Sequence, residues 1–280
     1  MIRIKKQTIF FIVCILTLGL NACDDSATSS DISAGVDAGK FIPARLEVPA
    51  LKGTADDQYV EHLVTIDGVQ QVNYCMEFNK AKRHSRWVAY TLHSGNCMAR
   101  VSRADGDPFT ADPSIAESDQ ASRSDFNGYD RGHICPSADR LGSAEANLQT
   151  FYYSNMSPQK SSFNQSGGAW YEHEGIVRSL GRNALKRDTL YIVKGGVIEN
   201  KELLSNVTSS QRCVIPRFYF MALLVLKNNR YKAMAYWFDQ KLNTSTEITI
   251  DALEDSTGID FFPALPDAIE RQVESIKYNL

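Results

Sequence analysis

"CVIPRFYFMALLVLKNNRYKAMAYWFD" (residues 213–239) is two apolar runs, rich in β-branched and aromatic residues, joined by Asn228-Asn229-Arg230. Such runs around a short polar turn predict a β-hairpin of 213–227 against 231–239. Three upstream segments have the same composition: "QVNYCMEFN" (71–79), "RWVAYTLH" (86–93) and "TLYIVKGGVI" (189–198). Consecutive strands with few intervening helices predict an α+β fold with a mostly antiparallel sheet at its core. "TIDALEDSTG" (249–258) reads as a short flanking helix with Asp251 as its cap, Glu254 at the third position and Gly258 as its stop.

The N-terminus suggests export. Arg3, Lys5 and Lys6 precede the apolar run "TIFFIVCILTLGL" (8–20), and Leu20-Asn21-Ala22 comes directly before Cys23. A basic start, a short apolar stretch and a small residue before the cut describe a secretory signal over 1–22. The last four residues resemble a bacterial lipobox, which implies a lipidated Cys23 and a membrane anchor on the periplasmic or cell-surface side. Residues 23–40, dominated by Ser, Asp, Ala and Gly, are expected to form a flexible tether, leaving 41–280 as one globular domain.

Removing 1–22 takes the formal charge from −3 to about −6. A nucleic-acid footprint is usually basic, so attraction to a polyanion would have to be local or carried by a metal. Cys75, Cys97, Cys135 and Cys213 match no zinc spacing. An even number of cysteines in an exported chain predicts disulfides, in a pairing left open.

Residues 128–187 break the strand pattern, and the chemistry-bearing residues concentrate there. Trp170, Val177, Leu180 and Ala184 recur at helical spacing, which predicts a helix over 168–186. "GYDRGHICPSADR" (128–140) carries His133, and "TFYYSNMSPQKSSFNQSGG" (150–168) carries Asn155 and Asn164. Amide oxygens are hard ligands suited to Mg²⁺ or Ca²⁺. A histidine beside such an ion suggests metal-assisted hydrolysis: the imidazole takes a proton from water while the cation polarises a phosphoryl oxygen.

"DRGH" (130–133), "TFYYSNMSPQ" (150–159) and "FN…W…E" (163–174), continued by "IPRFYF" (215–220) and "TGIDFFPALP" (257–266), resemble the sugar-non-specific DNA/RNA endonucleases with an embedded ββα-metal motif. The resemblance covers most of 70–270. It implies an Mg²⁺-dependent enzyme, with Mn²⁺ or Ca²⁺ as substitutes, that cuts DNA and RNA to 5′-phosphate ends. His133 would be the general base and Asn164 the direct metal ligand. Glu174 would orient water at the metal, and Asn155 would support the site by hydrogen bonding. Asp130, Arg131 and Gly132 would shape the loop presenting His133, and Arg103 would stabilise the transition state, with Arg131 or Arg140 as substitutes. The alternative is a catalytically inactive surface lipoprotein that captures extracellular nucleic acid.

Two departures from the family pattern matter: in "SRADGDPFTADP" (102–113) Arg103 is out of register with the F-x-x-D-P element near which the family has its arginine, and the helix spacing differs. "NQSGGAW" places five residues between Asn164 and Trp170, where the family has about three. Two extra helical residues would turn Glu174 by about 200° relative to Asn164. A bulge or a later helix start at Gly167-Gly168 must absorb them. Among the other histidines, His173 is expected to be partly buried on the helix. His62, His84 and His93 are expected on surfaces or strand ends.

Overall fold

The computed structural model describes residues 35–39, 44–183, 189–199, 203–205 and 212–280. The signal segment, Cys23 and Ala184 lie outside the described residues. Among the described residues, twelve strands occur in chain order: β1 (Val36–Asp37), β2 (Asp57–Ile66), β3 (Val69–Asn79), β4 (His84–Leu92), β5 (Asp130–His133), β6 (Met156–Gln159), β7 (Thr189–Gly196), β8 (Leu203–Ser205), β9 (Ile215–Pro216), β10 (Phe218–Lys227), β11 (Arg230–Asp239) and β12 (Thr244–Ile248). The α-helices are α1 (Ala144–Gln149), α2 (Ser161–Asn164), α3 (Ala169–Asn183), α4 (Ile250–Thr257) and α5 (Asp267–Glu274).

The expected hairpin forms as β10 and β11, in register from Phe218↔Asp239 to Lys227↔Arg230. Its turn is Asn228-Asn229, with φ of 51° and 60°. Both angles lie in the left-handed region that a two-residue type I′ loop needs and asparagine tolerates. The main sheet runs β1-β11-β10-β7-β4-β3-β2, with β12 also on β11, and every pairing in it is antiparallel. The fold is α+β around a large antiparallel sheet. Val36 pairs with Tyr231 and Asp37 with Arg230, so the tether expected through residue 40 does not extend over these two residues.

Both faces of the sheet are covered, which explains why its central strands are apolar at successive positions instead of alternating with polar residues. Tyr219, Met221 and Leu223 of β10 join Tyr90 and Ile192 in a core closed by Phe163, Trp170 and Val177. Phe220, Ala222 and Leu224 point the other way, into a core closed by Ile250, Leu253, Phe261, Phe262 and Val273. Helix α3 therefore lies over one face, and α4 with α5 over the other. β5 and β6 form a separate two-stranded unit.

Several expectations need correction. All four described cysteines are free and buried. Cys75 faces one core, Cys97 and Cys135 belong to the other, and Cys213 packs in a third cluster with Phe126 and Met156. Cys75 and Cys213 thus lie in separate layers from each other and from Cys97 and Cys135, and the latter two are free although they share a core. Thr249, not Asp251, caps α4, because its hydroxyl accepts the Ala252 N–H at 3.1 Å. Gly258, with φ of 65°, ends that helix as expected. His62 is buried inside β2, with Nε2 3.0 Å from Asp112 Oδ2. His84 opens β4, a strand end as expected, yet it is fully buried.

Candidate active site

Residues 130–133 form a strand despite their composition because β6 pairs with them, placing Asp130 opposite Gln159 and His133 opposite Met156. Gly132 leaves room for a buried side chain of the partner strand: a Cβ there would stand 2.1 Å from Gln159 Oε1, which would have to move. The reason for this glycine is close approach across the hairpin.

Asn155 pins the turn that follows. Its Oδ1 accepts the Cys135 N–H at 2.8 Å, and its Nδ2 donates to Cys135 O at 2.9 Å and Thr150 O at 2.8 Å. The side chain is fully buried. Its effect is to lock the backbone two residues beyond His133.

The His133 ring is buried against Phe151, edge-on at 5.0 Å, and Phe109 at 5.8 Å. Its Nε2 has no hydrogen-bond partner. Burial, aided by Arg103 and Arg131, depresses its pKa to about 3. The imidazole is therefore neutral at neutral pH. A buried polar atom without a partner is costly, and such exceptions concentrate where function requires them.

Asp130 ties this strand to α2. Its Oδ1 accepts from Ser161 Oγ at 2.8 Å, and its Oδ2 accepts from Asn164 Nδ2 at 3.2 Å and Gln165 Nε2 at 3.0 Å. Helix α2 stops at Asn164, and α3 begins afresh at Ala169. Gly167 adopts φ of 85°, and a Cβ at Gly168 would meet Phe163 O at 2.3 Å. The two extra residues are thus absorbed by a break before α3, and the 200° rotation does not arise.

Trp170, buried on the first turn of α3, joins the two halves. Its indole N–H is shared between Glu174 Oε1 at 3.0 Å and His133 O at 3.3 Å. Burial raises the Glu174 pKa to about 7, against the opposing pull of Lys194. Arg103 lies close enough to both Glu174 and His133 to act on them electrostatically. It donates to Ser137 Oγ at 2.7 Å and covers the Phe151 ring at 5.0 Å.

The structure thus links His133, Asn155 and Glu174 through one set of contacts, joins Asn164 to the same strand through Asp130, and sets Arg103 beside them. Arg131 lies over the Phe109 ring at 3.8 Å and donates to Asp107 at 2.6 Å. Arg140 is set apart, since it is buried and donates to the carbonyls of Asn73, Thr91 and Asp139. His173 is partly buried on α3, as expected, with Nδ1 2.7 Å from Ala169 O.

A buried charge cluster behind Glu174 escapes sequence reasoning. Asp139 receives Arg178 Nε at 2.7 Å and Tyr90 OH at 2.9 Å. Lys194 Nζ, fully buried and without a hydrogen-bond partner, sits 5.6 Å from the Trp170 ring and 5.7 Å from Tyr90. The available signal was a lysine inside the apolar run 189–198.

The profile of the DNA/RNA non-specific endonuclease family matches residues 61–268, a stretch that holds all of these side chains and the main sheet apart from β1 and the first residues of β2. The chain belongs to the DNA/RNA non-specific endonuclease family. It is 30% identical over 221 residues to a nuclease of Nostoc sp., covering 72% of this chain and 75% of that protein. It is 27% identical over 217 residues to a nuclease of Serratia marcescens, covering 72% and 77% respectively. It spans 60% of the mitochondrial nuclease EXOG of Danio rerio, at 26% identity over 212 residues and 69% of this chain. The fold resembles a chain in the crystal structure of the EndoG/EndoGI complex, with a TM-score of 0.57, 20% identity, and coverage of 74% of this chain and 88% of that one. Members of this family are metal-dependent nucleases.

Proposed function

We propose that this protein is an exported, lipid-anchored endonuclease that hydrolyses phosphodiester bonds of DNA and RNA to 5′-phosphate ends with the help of Mg²⁺. The observation that carries the reading is the buried His133 Nε2, which has no partner, on a residue whose backbone carbonyl shares the Trp170 indole N–H with Glu174.

The donor set suits a hard divalent cation. The Asp130 carboxylate can only accept hydrogen bonds, so it holds the amide nitrogen of Asn164 and turns the carbonyl oxygen away. That oxygen, with the Glu174 carboxylate nearby in the chain, is the ligand type Mg²⁺ prefers. When bound, the cation supplies polarisation of a phosphoryl oxygen and charge neutralisation at the leaving oxygen. Asn164 holds it. His133 accepts a proton from the attacking water at Nε2, and Glu174 accepts hydrogen bonds that orient water. Asn155 keeps the His133 turn rigid, and Arg103 offsets negative charge as it develops. Arg103 and Arg131 also give local positive charge to a chain whose net charge is negative.

The test is incubation of the full chain with supercoiled plasmid and with structured RNA, with and without chelator. Mg²⁺-dependent cutting of both, lost in His133→Ala while filter binding persists, supports the enzyme. Retention of nucleic acid without cutting by the parent protein overturns it in favour of a binding lipoprotein. Labelling of the membrane fraction, abolished by Cys23→Ser, tests the anchor.

A further inference from the structure

On the sheet face opposite the His133 side, α4 and α5 bring together three acids that this chemistry does not use. One carboxylate oxygen from each of Asp251, Glu254 and Glu274 lies within 4.8 Å of the other two. Asp251 and Glu254 are three residues apart on α4, so they share a face. Glu274 closes α5 from the other side. It is only 5% exposed, and its Oε1 has no hydrogen-bond partner. Glu254 is held in place, since its Oε1 accepts the Phe261 N–H at 2.7 Å.

Apolar neighbours alone do not account for this arrangement. A buried carboxylate is expensive unless paired, and here the charged groups that act most on Glu274 are all acids: Glu254, Glu270, Asp251 and Asp260. A cation removes the conflict. The donors are all hard oxygens, which excludes the soft metals. Three protein carboxylates suit Ca²⁺, which takes several oxygen ligands in flexible geometry, better than Mg²⁺, which dehydrates reluctantly and is usually held by one or two. Asp251 is exposed, so water can reach the remaining positions.

We propose that Asp251, Glu254 and Glu274 form a structural Ca²⁺ site that staples α4 to α5, separate from the nuclease centre. Beneath it, Ile250, Leu253, Phe261 and Val273 close one of the two main cores, so the ion would stabilise the whole face. The site is independent of the function proposed above.

Ca²⁺ alone is the probe, and Asn164→Ala in the full chain removes the other candidate ion site. Equilibrium dialysis of that variant is expected to find one Ca²⁺ per chain, and its melting temperature is expected to rise on adding Ca²⁺. Adding Glu254→Gln and Glu274→Gln should abolish both effects, and melting without Ca²⁺ should hold or rise because like charges are gone. Should that variant fail to fold, the exposed Asp251→Asn provides the test, with affinity for Ca²⁺ lowered about tenfold or more. No Ca²⁺ bound by Asn164→Ala, or equal binding after the glutamine or asparagine substitutions, overturns the proposal.

Discussion

The amide nitrogen of Asn164 donates to Asp130 Oδ2 across 3.2 Å, joining the end of α2 to the first residue of the strand that carries His133. This contact sets which end of the amide is free. Its consequence can be measured. Asp130→Ala leaves Asn164 free to rotate, and loss of an outer partner of a metal ligand costs about 10- to 100-fold in metal affinity. The Mg²⁺ concentration for half-maximal rate should rise by that order, with the rate at saturating Mg²⁺ largely kept. An unchanged Mg²⁺ dependence would show that Asp130 does not orient Asn164.

His133 is expected to resist protonation in the metal-free protein. Burial, Arg103 and Arg131 all act to lower its pKa, which falls to about 3. Removing a neighbouring cation favours the imidazolium, so Arg103→Ala should move the titration upward. Histidine-selective NMR would follow both proteins. A His133 resonance that titrates in the parent near the ordinary value of about 6.5 would contradict the buried geometry.

Asn155 tests how the turn is held. Asn155→Ala leaves the Cys135 N–H and the Cys135 and Thr150 carbonyls without their partner. Each buried group so orphaned costs about 1–3 kcal/mol, so the melting temperature should drop clearly. Asn155→Asp keeps the acceptor for Cys135 N–H but turns a second oxygen toward two carbonyls. It should destabilise at least as much as alanine despite its identical shape. A stable aspartate variant would refute the assignment.

Stability should also depend on pH through the buried histidines. Nδ1 of His84 donates to Ser85 O at 2.7 Å, so its Nε2 accepts from Ser157 Oγ at 2.6 Å, and the ring is neutral. Burial lowers its pKa to about 4, and that of His133 to about 3. Between about 6.5 and these values the unfolded chain binds protons that the folded chain does not. Stability from both groups is therefore full above about 6.5 and declines as pH falls toward 4. Glu174, Glu254 and Glu274, whose pKa values burial raises, act in the opposite sense, so the comparison is with His84→Gln: from pH near 7.5 to near 5 the parent's urea midpoint should change less favourably than the variant's, and equal changes would count against it.

Much of this molecule is readable from local patterns, and the gaps have physical causes. The 213–239 hairpin is legible because its apolar runs and Asn-Asn turn act over neighbouring residues. β2 is less so: "DQYVEHLVTI" mixes charges with apolar residues, and only its alternation and the following Asp67-Gly68 turn betray a strand paired with β3. β5 contains Asp, Arg, Gly and His in four positions, a composition that specifies nothing by itself. It becomes a strand because β6 pairs with it and Gly132 admits Gln159.

What the order of residues determined alone was chemical inventory: an imidazole, amides and carboxylates in a familiar succession, and runs apolar enough to build a sheet. Which of them meet was decided by tertiary packing. Trp170 reaches back to the His133 carbonyl, Lys194 enters from β7 beneath Glu174, and Glu274 meets Asp251 and Glu254 from a second helix. Periodicity acts along a few turns of chain, whereas these encounters depend on how a sheet covered on both faces folds distant segments into shared, water-poor spaces. In such spaces a charge is costly without a partner, and so the side chains that converge there acquire the altered acidities that their sequence neighbours do not reveal.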